Sequence, residues 1–216
     1  MRRSVFAAAV ALLLALAGGA QAQADPEGKE PESGQAGAIA PTPEEIKALK
    51  AGDRAPDVPL TNIKGKPRTL AKVLEGKPTV IVFYRGGWCP FCNKHLAELG
   101  QAQTELQALG YQVVAISPDG TEAAAKTKEK LAYRIFSDST LAAAKAFGVA
   151  FKMDPEVRKQ YLEYIKEPRS HDFSVLPVPS VFIVNKEGEI RYVYTNADYK
   201  VRLGKEDLLK AAKEAL

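Results

Sequence analysis

The spacing of apolar residues along the chain predicts an alternation of strands and helices. The run from Thr79 to Tyr84 is apolar and β-branched, which is typical of a buried strand. Residues 91–109 then carry apolar side chains at three- and four-residue spacing, which predicts a helix with one buried stripe. Gly110 supplies a C-terminal stop for this helix. Residues 111–117 alternate again and predict a second buried strand.

The second half of the chain continues in the same way. Two strands, 181–184 and 190–194, are joined by a predicted turn. Further helices are predicted at 121–131, from 143 onward and at 205–216. A βαβ half followed by a ββα half predicts a three-layer α/β domain, with a central mixed sheet and helices on both faces.

Two features lie outside this alternation. Residues 57–61 and 68–70 flank Lys64-Gly65 and predict a hairpin ahead of the central strand. Residues 153–169 predict an inserted helix, because Val157, Tyr161 and Ile165 recur every four residues. The sequence does not indicate what this insertion does.

The N-terminus is typical of an export signal. Arg2 and Arg3 precede an apolar core of about 13 residues, and small residues of a cleavage site end at Ala22. The core is too short to span a bilayer. We therefore expect residues 1–22 to be a signal peptide, and the mature protein to be a periplasmic protein without stable membrane insertion.

The segment after the signal is predicted to lie outside the domain. Residues 23–41 have almost no large apolar side chains, which predicts a flexible tether. Thr42-Pro43-Glu44-Glu45 then predicts a short capped helix that extends to about Leu49. On this basis residues 23–50 are tether and helix, and residues 51–216 form one domain.

Charge argues against nucleic acid as a partner. The formal net charge of +4 falls to +2 once Arg2 and Arg3 leave with the signal, and acidic and basic residues are interspersed. This balance leaves no basic surface for nucleic acid or for acidic membranes.

The two cysteines of the chain, Cys89 and Cys92, follow the predicted central strand directly. A disulfide across so short a loop removes little chain entropy, so redox chemistry is a better interpretation than a structural bridge. Backbone N–H groups and the helix dipole favour a thiolate at the start of the next helix. We therefore expect Cys89 to be the more exposed nucleophile and Cys92 to resolve it.

Several neighbours of the cysteines are candidates for supporting roles. Pro90 suits the first helical position, where its missing N–H has no cost. Trp88 either walls the site or is ordinary packing, and Arg85 either assists the sulfur or is a solvated cation. His95 lies on the same helical face as Cys92 and is either a base, a metal ligand or a packed side chain. The Cys-x-x-Cys-x-x-His spacing is weak evidence for zinc, so we expect no metal and no other cofactor.

Five motifs occur in one order between about residue 50 and the C-terminus. They are GDRAPD at 52–57, FYRGGWCPFC at 83–92, VVAISP at 113–118, FSD at 136–138 and LPVP at 176–179. Together they resemble peroxiredoxin-like proteins of the alkyl hydroperoxide reductase/thiol-specific antioxidant family.

The resemblance implies a thioredoxin-like fold and a peroxidase reaction. In this reaction Cys89 attacks hydrogen peroxide or an organic hydroperoxide to give a sulfenic acid, and Cys92 condenses with it to a disulfide. Thioredoxin or another dithiol would reduce that disulfide. The resemblance also implies a cis Val178–Pro179 peptide bond beside the cysteines, and it allows a homodimer.

Two positions depart from the family pattern and leave alternatives open. Peroxiredoxins usually carry threonine or serine three residues before the attacking cysteine and a proline further upstream, where this chain has Gly86 and Val82. One alternative is a periplasmic thiol–disulfide oxidoreductase whose protein substrates dock beside Val178. A further alternative is a metal-binding or interaction module.

Overall fold

The computed structural model describes residues 37–129, 131–165 and 171–216. The predicted signal peptide and most of the predicted tether lie outside the described residues.

A seven-stranded mixed sheet forms the centre of the domain, in the order β2-β1-β5-β4-β3-β8-β9. Strands β3, β4 and β5 are parallel, and β8 and β9 continue the sheet antiparallel on one side. The strands are β1 (Pro59–Asn62), β2 (Pro67–Thr69), β3 (Thr79–Phe83), β4 (Gln112–Ser117), β5 (Arg134–Ser137), β8 (Ser180–Val184) and β9 (Ile190–Thr195). A separate antiparallel pair consists of β6 (Ala150–Lys152) and β7 (Val175–Pro177).

Helices cover both faces of the sheet. They are α1 (Leu70–Leu74), α2 (Pro90–Gln101), α3 (Gln103–Ala108), α4 (Thr121–Lys128), α5 (Ala142–Ala146), α6 (Pro155–Tyr164) and α7 (Lys205–Glu214). No helix in the described ranges is long and apolar enough to cross a membrane.

The side chains of β3 show why three layers form. Val80 and Val82 face one core cluster, which includes residues of α2 and α7, whereas Ile81 and Phe83 face a second cluster on the opposite side. All five residues of the strand are buried, as expected for a central strand covered on both faces. The predicted three-layer α/β architecture is confirmed.

Most predicted elements are present, with differences at their ends. The hairpin around Lys64-Gly65 forms as β1 and β2, and the insertion contains helix α6. The helix predicted over 91–109 is interrupted at Ala102, where α2 ends and α3 begins. The helix predicted from Thr42 to Leu49 is only a 3₁₀ turn, Pro43–Glu45, because the chain becomes extended at Ile46.

The segment from Gly37 to Lys50 packs against the domain. Ala40 exchanges backbone hydrogen bonds with the β6 strand, and the Leu49 N–H donates to the carbonyl of Phe147 at 3.1 Å. Ile39, Ile46 and Leu49 pack on the second core cluster. The sequence predicted a tether up to about residue 41, but from Gly37 onward these apolar side chains and backbone hydrogen bonds hold the chain against the domain.

Gly148 tests how closely this segment is packed. Gly148 and Gly110 both have positive φ, of 68° and 86°, but an added Cβ at Gly148 would overlap the carbonyl of Lys47, whereas nothing lies within 4 Å at Gly110. We expect Gly110→Ala to lower the free energy of unfolding by about 1 kcal/mol through backbone strain alone. Gly148→Ala should cost about 3 kcal/mol or more, because the segment must also move. Chemical denaturation measures both, and equal losses would contradict the packing described here.

Candidate redox site

The two cysteines lie where β3 passes into α2. Cys89 is the N-cap residue of α2, and Pro90 occupies the first helical position, exposed to solvent. The Cys89 N–H donates to the carbonyl of Gly86 at 3.1 Å, and the Cys89 carbonyl accepts the N–H of Asn93 at 3.0 Å. A tight turn therefore delivers both sulfurs to the first turn of the helix.

Both cysteines are buried. Cys89 is 1% exposed and Cys92 is 0% exposed, so the predicted nucleophile is itself buried and the two cysteines hardly differ in exposure. Aromatic rings cover this region: Trp88 packs on Tyr161 of α6 and on Phe173, with centroid distances of 5.4 and 5.2 Å. The predicted insertion supplies Tyr161, so it forms part of the cover over the redox turn.

The two thiols share one proton. Burial raises the pKa of Cys92, but the hydrogen bond from the Cys89 thiol and the charge of Arg202 outweigh burial and lower that pKa to about 6. The same hydrogen bond, together with burial, raises the pKa of Cys89, and the Arg85 charge opposes this rise. The reduced pair thus holds its negative charge on Cys92, whereas the sequence favoured a thiolate on Cys89.

Arg202 is the cation in contact with the pair. Its Nη2 donates to the Cys92 sulfur at 3.5 Å, and its Nε donates to the carbonyl of Tyr199 at 2.5 Å. A charge-assisted contact of this kind stabilises a buried thiolate.

Arg85 is enclosed by aromatic rings rather than solvated. It is 2% exposed, and its guanidinium carbon lies 4.1, 5.0 and 5.2 Å from the ring centroids of Tyr199, Trp88 and Tyr161. Nη2 donates to the Tyr161 hydroxyl at 2.7 Å. The Arg85 cation is thereby fixed beside the redox turn, where its charge acts on Cys89.

A buried carboxyl group lies beneath the turn. Asp119 is 2% exposed, and its Oδ2 accepts the Gly87 N–H at 2.7 Å. An added Cβ at Gly86 would lie 2.7 Å from Asp119 Oδ1 and would overlap the indole nitrogen of Trp88. Glycine is therefore required at this position for the turn to pack on Asp119.

Burial raises the pKa of Asp119 to about 6 and lowers the pKa of His171, whose Nε2 lies 3.9 Å from Asp119 Oδ1, to about 4. Burial, followed by the charge of Asp119, also raises the pKa of Tyr84. An ionised carboxylate and a neutral imidazole therefore face each other under the turn near neutral pH.

The Val178–Pro179 peptide bond is trans, as is every peptide bond in the described part of the chain, so the predicted cis bond is wrong. Pro177 pairs with Ala150 in the β6–β7 ribbon, and the Val178 N–H donates to the carbonyl of Val149 at 2.8 Å. These contacts carry the chain in an extended course past Val178 into β8. Both Val178 and Pro179 are buried and line a cavity together with Arg85.

His95 links helix α2 to the loop before α7. Its Nε2 lies 3.0 Å from the carbonyl of Leu203, and burial, followed by the charge of Arg202, lowers the pKa of His95 to about 4. A neutral imidazole that donates to a carbonyl is a structural contact. Within the described ranges, no group of three or more His, Cys, Asp or Glu side chains is arranged to hold a metal ion.

Sequence reasoning missed Arg202, Asp119 and Tyr199. Asp119 had a signal, because it follows β4 at the sheet edge where the carboxyl ends of β3 and β4 meet. Arg202 and Tyr199 lie more than 100 residues after the cysteines, in a loop whose course no local pattern indicates.

This fold and this site define a class. A Cys-x-x-Cys at the start of a helix, directly after the central strand of a mixed sheet, is a dithiol redox centre of thioredoxin-like architecture. The AhpC/TSA family profile matches residues 51–193, more than half of the chain. The chain belongs to the AhpC/TSA family and is a peroxiredoxin-like oxidoreductase, as its motifs predict.

The sequence identity to individual relatives is low. The chain is 27% identical over 147 residues to the chloroplastic peroxiredoxin Q of Sedum lineare, a match that covers 67% of this chain and 68% of the relative. It is 24% identical over 151 residues to the thiol-disulfide oxidoreductase ResA of Geobacillus kaustophilus, covering 70% and 72%. These two matches and six others span between 60% and 72% of the relatives' own lengths.

Solved structures show the same fold. The peroxidoxin BcpB of Mycobacterium tuberculosis superimposes with a TM-score of 0.60 at 22% identity, over 77% of this chain and 96% of that chain. The predicted thioredoxin-like fold is confirmed.

Arg202 provides a test of the shared thiolate. We expect Arg202→Met to raise the pKa of Cys92 from about 6 by about one pH unit or more, because the variant removes the cation in contact with the sulfur. Thiolate absorbance of the reduced protein, followed against pH, measures the change. Lys200→Met is the matched control, since it removes an exposed charge from the same loop. A Cys92 pKa that does not move in Arg202→Met would contradict this role.

Asp119 should impose a pH dependence on stability. Its folded pKa, about 6, lies above the ordinary value of 3.8, so the folded state binds more protons between these values. The contribution of Asp119 to the free energy of unfolding therefore falls as pH rises from about 4 to about 6. Asp119→Asn retains an acceptor for Gly87 but cannot ionise. As pH rises through this range, the free energy of unfolding of the variant should gain about 2 kcal/mol relative to that of the parent, and the difference should then level off.

Denaturation at a series of pH values measures this gain. The matched control is Asp57→Asn, because Asp57 also accepts a backbone N–H, from Ala71 at 2.9 Å, but is exposed. If the free energies of unfolding of Asp119→Asn and the parent differed by a constant amount across this pH range, the raised pKa of Asp119 would be contradicted.

Proposed function

We propose that the protein is a thiol-dependent peroxidase that reduces hydrogen peroxide or organic hydroperoxides with Cys89 and Cys92. The observation that carries the proposal is the buried, hydrogen-bonded cysteine pair between two arginines, Arg202 on Cys92 and Arg85 near Cys89. Membership of the AhpC/TSA family supports it, as do relatives named peroxiredoxin Q.

The first step requires a thiolate on Cys89. The Cys89 proton already lies in a hydrogen bond to Cys92, so its transfer to Cys92 exchanges the positions of thiol and thiolate. The charge of Arg85 then stabilises the Cys89 thiolate. Attack on the peroxide forms an S–O bond and breaks the O–O bond. Cys89 becomes a sulfenic acid, and the leaving oxygen takes up a proton as alcohol or water.

The resolving step takes place within the Cys-x-x-Cys motif. The Cys92 sulfur attacks the sulfenic acid on Cys89, an S–S bond forms and water leaves. Cys89 is the N-cap of α2 and Cys92 lies within its first turn, so the two residues are close enough for a disulfide with little backbone movement. A thioredoxin-like dithiol then reduces the disulfide by thiol exchange and returns both thiols.

Export and assembly belong to the same proposal. Residues 1–22 would direct the protein to the bacterial periplasm, where the dithiol reductant would also have to be present. Family resemblance extends the proposal to a homodimer.

Trapping the oxidised cysteine tests the assignment of roles. We expect Cys92→Ser to accumulate a sulfenic acid on Cys89 after one equivalent of peroxide, because no resolving thiol remains. The parent protein should give an intramolecular disulfide, and Cys89→Ser should react far more slowly. Mass spectrometry after labelling with a sulfenic-acid reagent measures each species. The contrary result would be rapid formation of a sulfenic acid on Cys92 in Cys89→Ser. If that rate equalled the rate on Cys89 in Cys92→Ser, the assignment of Cys89 as the attacking cysteine would be wrong.

A second candidate function is thiol–disulfide exchange with protein substrates. It is favoured by the surroundings of Gly86, the position where peroxiredoxins usually carry a threonine or serine hydroxyl. Here Asp119 and the Trp88 indole occupy the space that such a side chain would need. Similarity to ResA also supports it. Reduction of a protein disulfide by the reduced chain, at a rate exceeding its oxidation by either peroxide, would favour this function over the peroxidase.

A further inference from the structure

Arg85 carries a buried charge, and no carboxylate of the described residues pairs with it. Within the described ranges, its hydrogen bond to the Tyr161 hydroxyl is made by Nη2, whereas Nε is buried without an acceptor. No Asp or Glu of the described residues forms a salt bridge with it. The three surrounding rings offer their electron-rich faces, which offset the charge only in part. A buried cation of this kind favours an anionic ligand.

A cavity of about 520 Å³ lies against this cation. Its volume is within the range of small-molecule sites, about 300–1,000 Å³. Most of its wall is apolar and comes from Phe151, Met153, Val157, Val178 and Pro179. The cavity therefore presents one buried positive group and otherwise a surface that suits hydrocarbon.

Two charged side chains at the rim of the cavity do not alter its preference for an anionic ligand. Lys152 and Asp154 also line the cavity, but they are exposed and of opposite sign. The Asp154 carboxylate accepts the N–H groups of Glu156 and Val157 at 2.9 and 3.1 Å, so it is engaged in capping α6. Arg85 remains the group that selects the charge of a ligand.

We propose that this cavity binds an aliphatic carboxylate, with the carboxylate on Arg85 and the hydrocarbon chain against the apolar wall. A guanidinium recognises a carboxylate with directed hydrogen bonds, and the hydrocarbon gains by leaving water. Because Arg85 is also the cation that acts on Cys89, the ligand occupies a position next to the redox pair.

Binding of decanoate to the reduced full-length protein tests the inference. Trp88 is the sole tryptophan of the chain and contacts Arg85, so its fluorescence reports on the site. We expect saturable binding of one decanoate per chain, confirmed by calorimetry. Binding of 1-decanol should be at least ~10-fold weaker, because the alcohol has the chain but not the charge. The same result is expected in Cys89→Ser, since binding requires no redox step.

Three variants separate charge from shape. Arg85→Gln should weaken decanoate binding by at least ~10-fold and bring it to the level of 1-decanol. Val157→Phe should weaken both ligands, because the larger side chain fills the cavity from α6. Gln160→Phe is the matched control, since it adds the same ring at an exposed position of the same helix. This control should leave both affinities unchanged.

Equal affinity for decanoate and 1-decanol would overturn the role of Arg85. Decanoate binding that survives Val157→Phe unchanged would overturn the location. Neither result depends on peroxide, so the proposed peroxidase function can fail or succeed independently of this inference.

Discussion

The hydrogen bond between the Cys89 thiol and the Cys92 sulfur is the interaction on which the site depends. Two sulfurs buried this completely would both remain protonated if they were separate, because burial raises the pKa of each. Sharing one proton, with Arg202 in contact with Cys92, allows the pair to hold one negative charge near neutral pH. The chain thus keeps a charged sulfur in a buried position.

The surroundings of the pair are arranged to maintain this state. The Gly86-Gly87 turn packs directly on Asp119 and Thr127, so the backbone before Cys89 has little room to move. Tyr161 of helix α6 covers Trp88 and holds Arg85 with its hydroxyl. The insertion that the sequence left without a role therefore closes one side of the site and forms the wall of the adjoining cavity.

The sequence predicted the framework of this protein because local patterns determine it. A run of β-branched and aromatic residues, 79–84, specifies the buried strand, and a proline at the first helical position specifies where α2 begins. Tertiary packing decided what the sequence could not show. Ile39, Ile46 and Leu49 join the core from a segment that the sequence predicted as tether and short helix outside the domain, and the break at Ala102 divides one predicted helix into two.

The residues of the site likewise divide into those that a local motif predicts and those that it does not. Cys89, Cys92, Arg85 and Trp88 are adjacent in sequence, so a motif finds them. The charge on Cys92 depends on Arg202, and the setting of Arg85 depends on Tyr161 and Tyr199. These partners lie far from the motif in the sequence, and an insertion and a loop bring them to it. A pattern of local spacing carries no information about such partners.

The rate at which the reduced protein reacts with hydrogen peroxide tests the account most directly. Stopped-flow measurement of Trp88 fluorescence follows the oxidation, because the indole lies beside the redox turn. We predict a second-order rate constant at least ~100-fold above that of an unassisted thiolate, since fixed cations act on both sulfurs before the peroxide arrives. A rate no greater than that of a free thiolate at the same pH would contradict the claim that this buried pair is built to reduce peroxides.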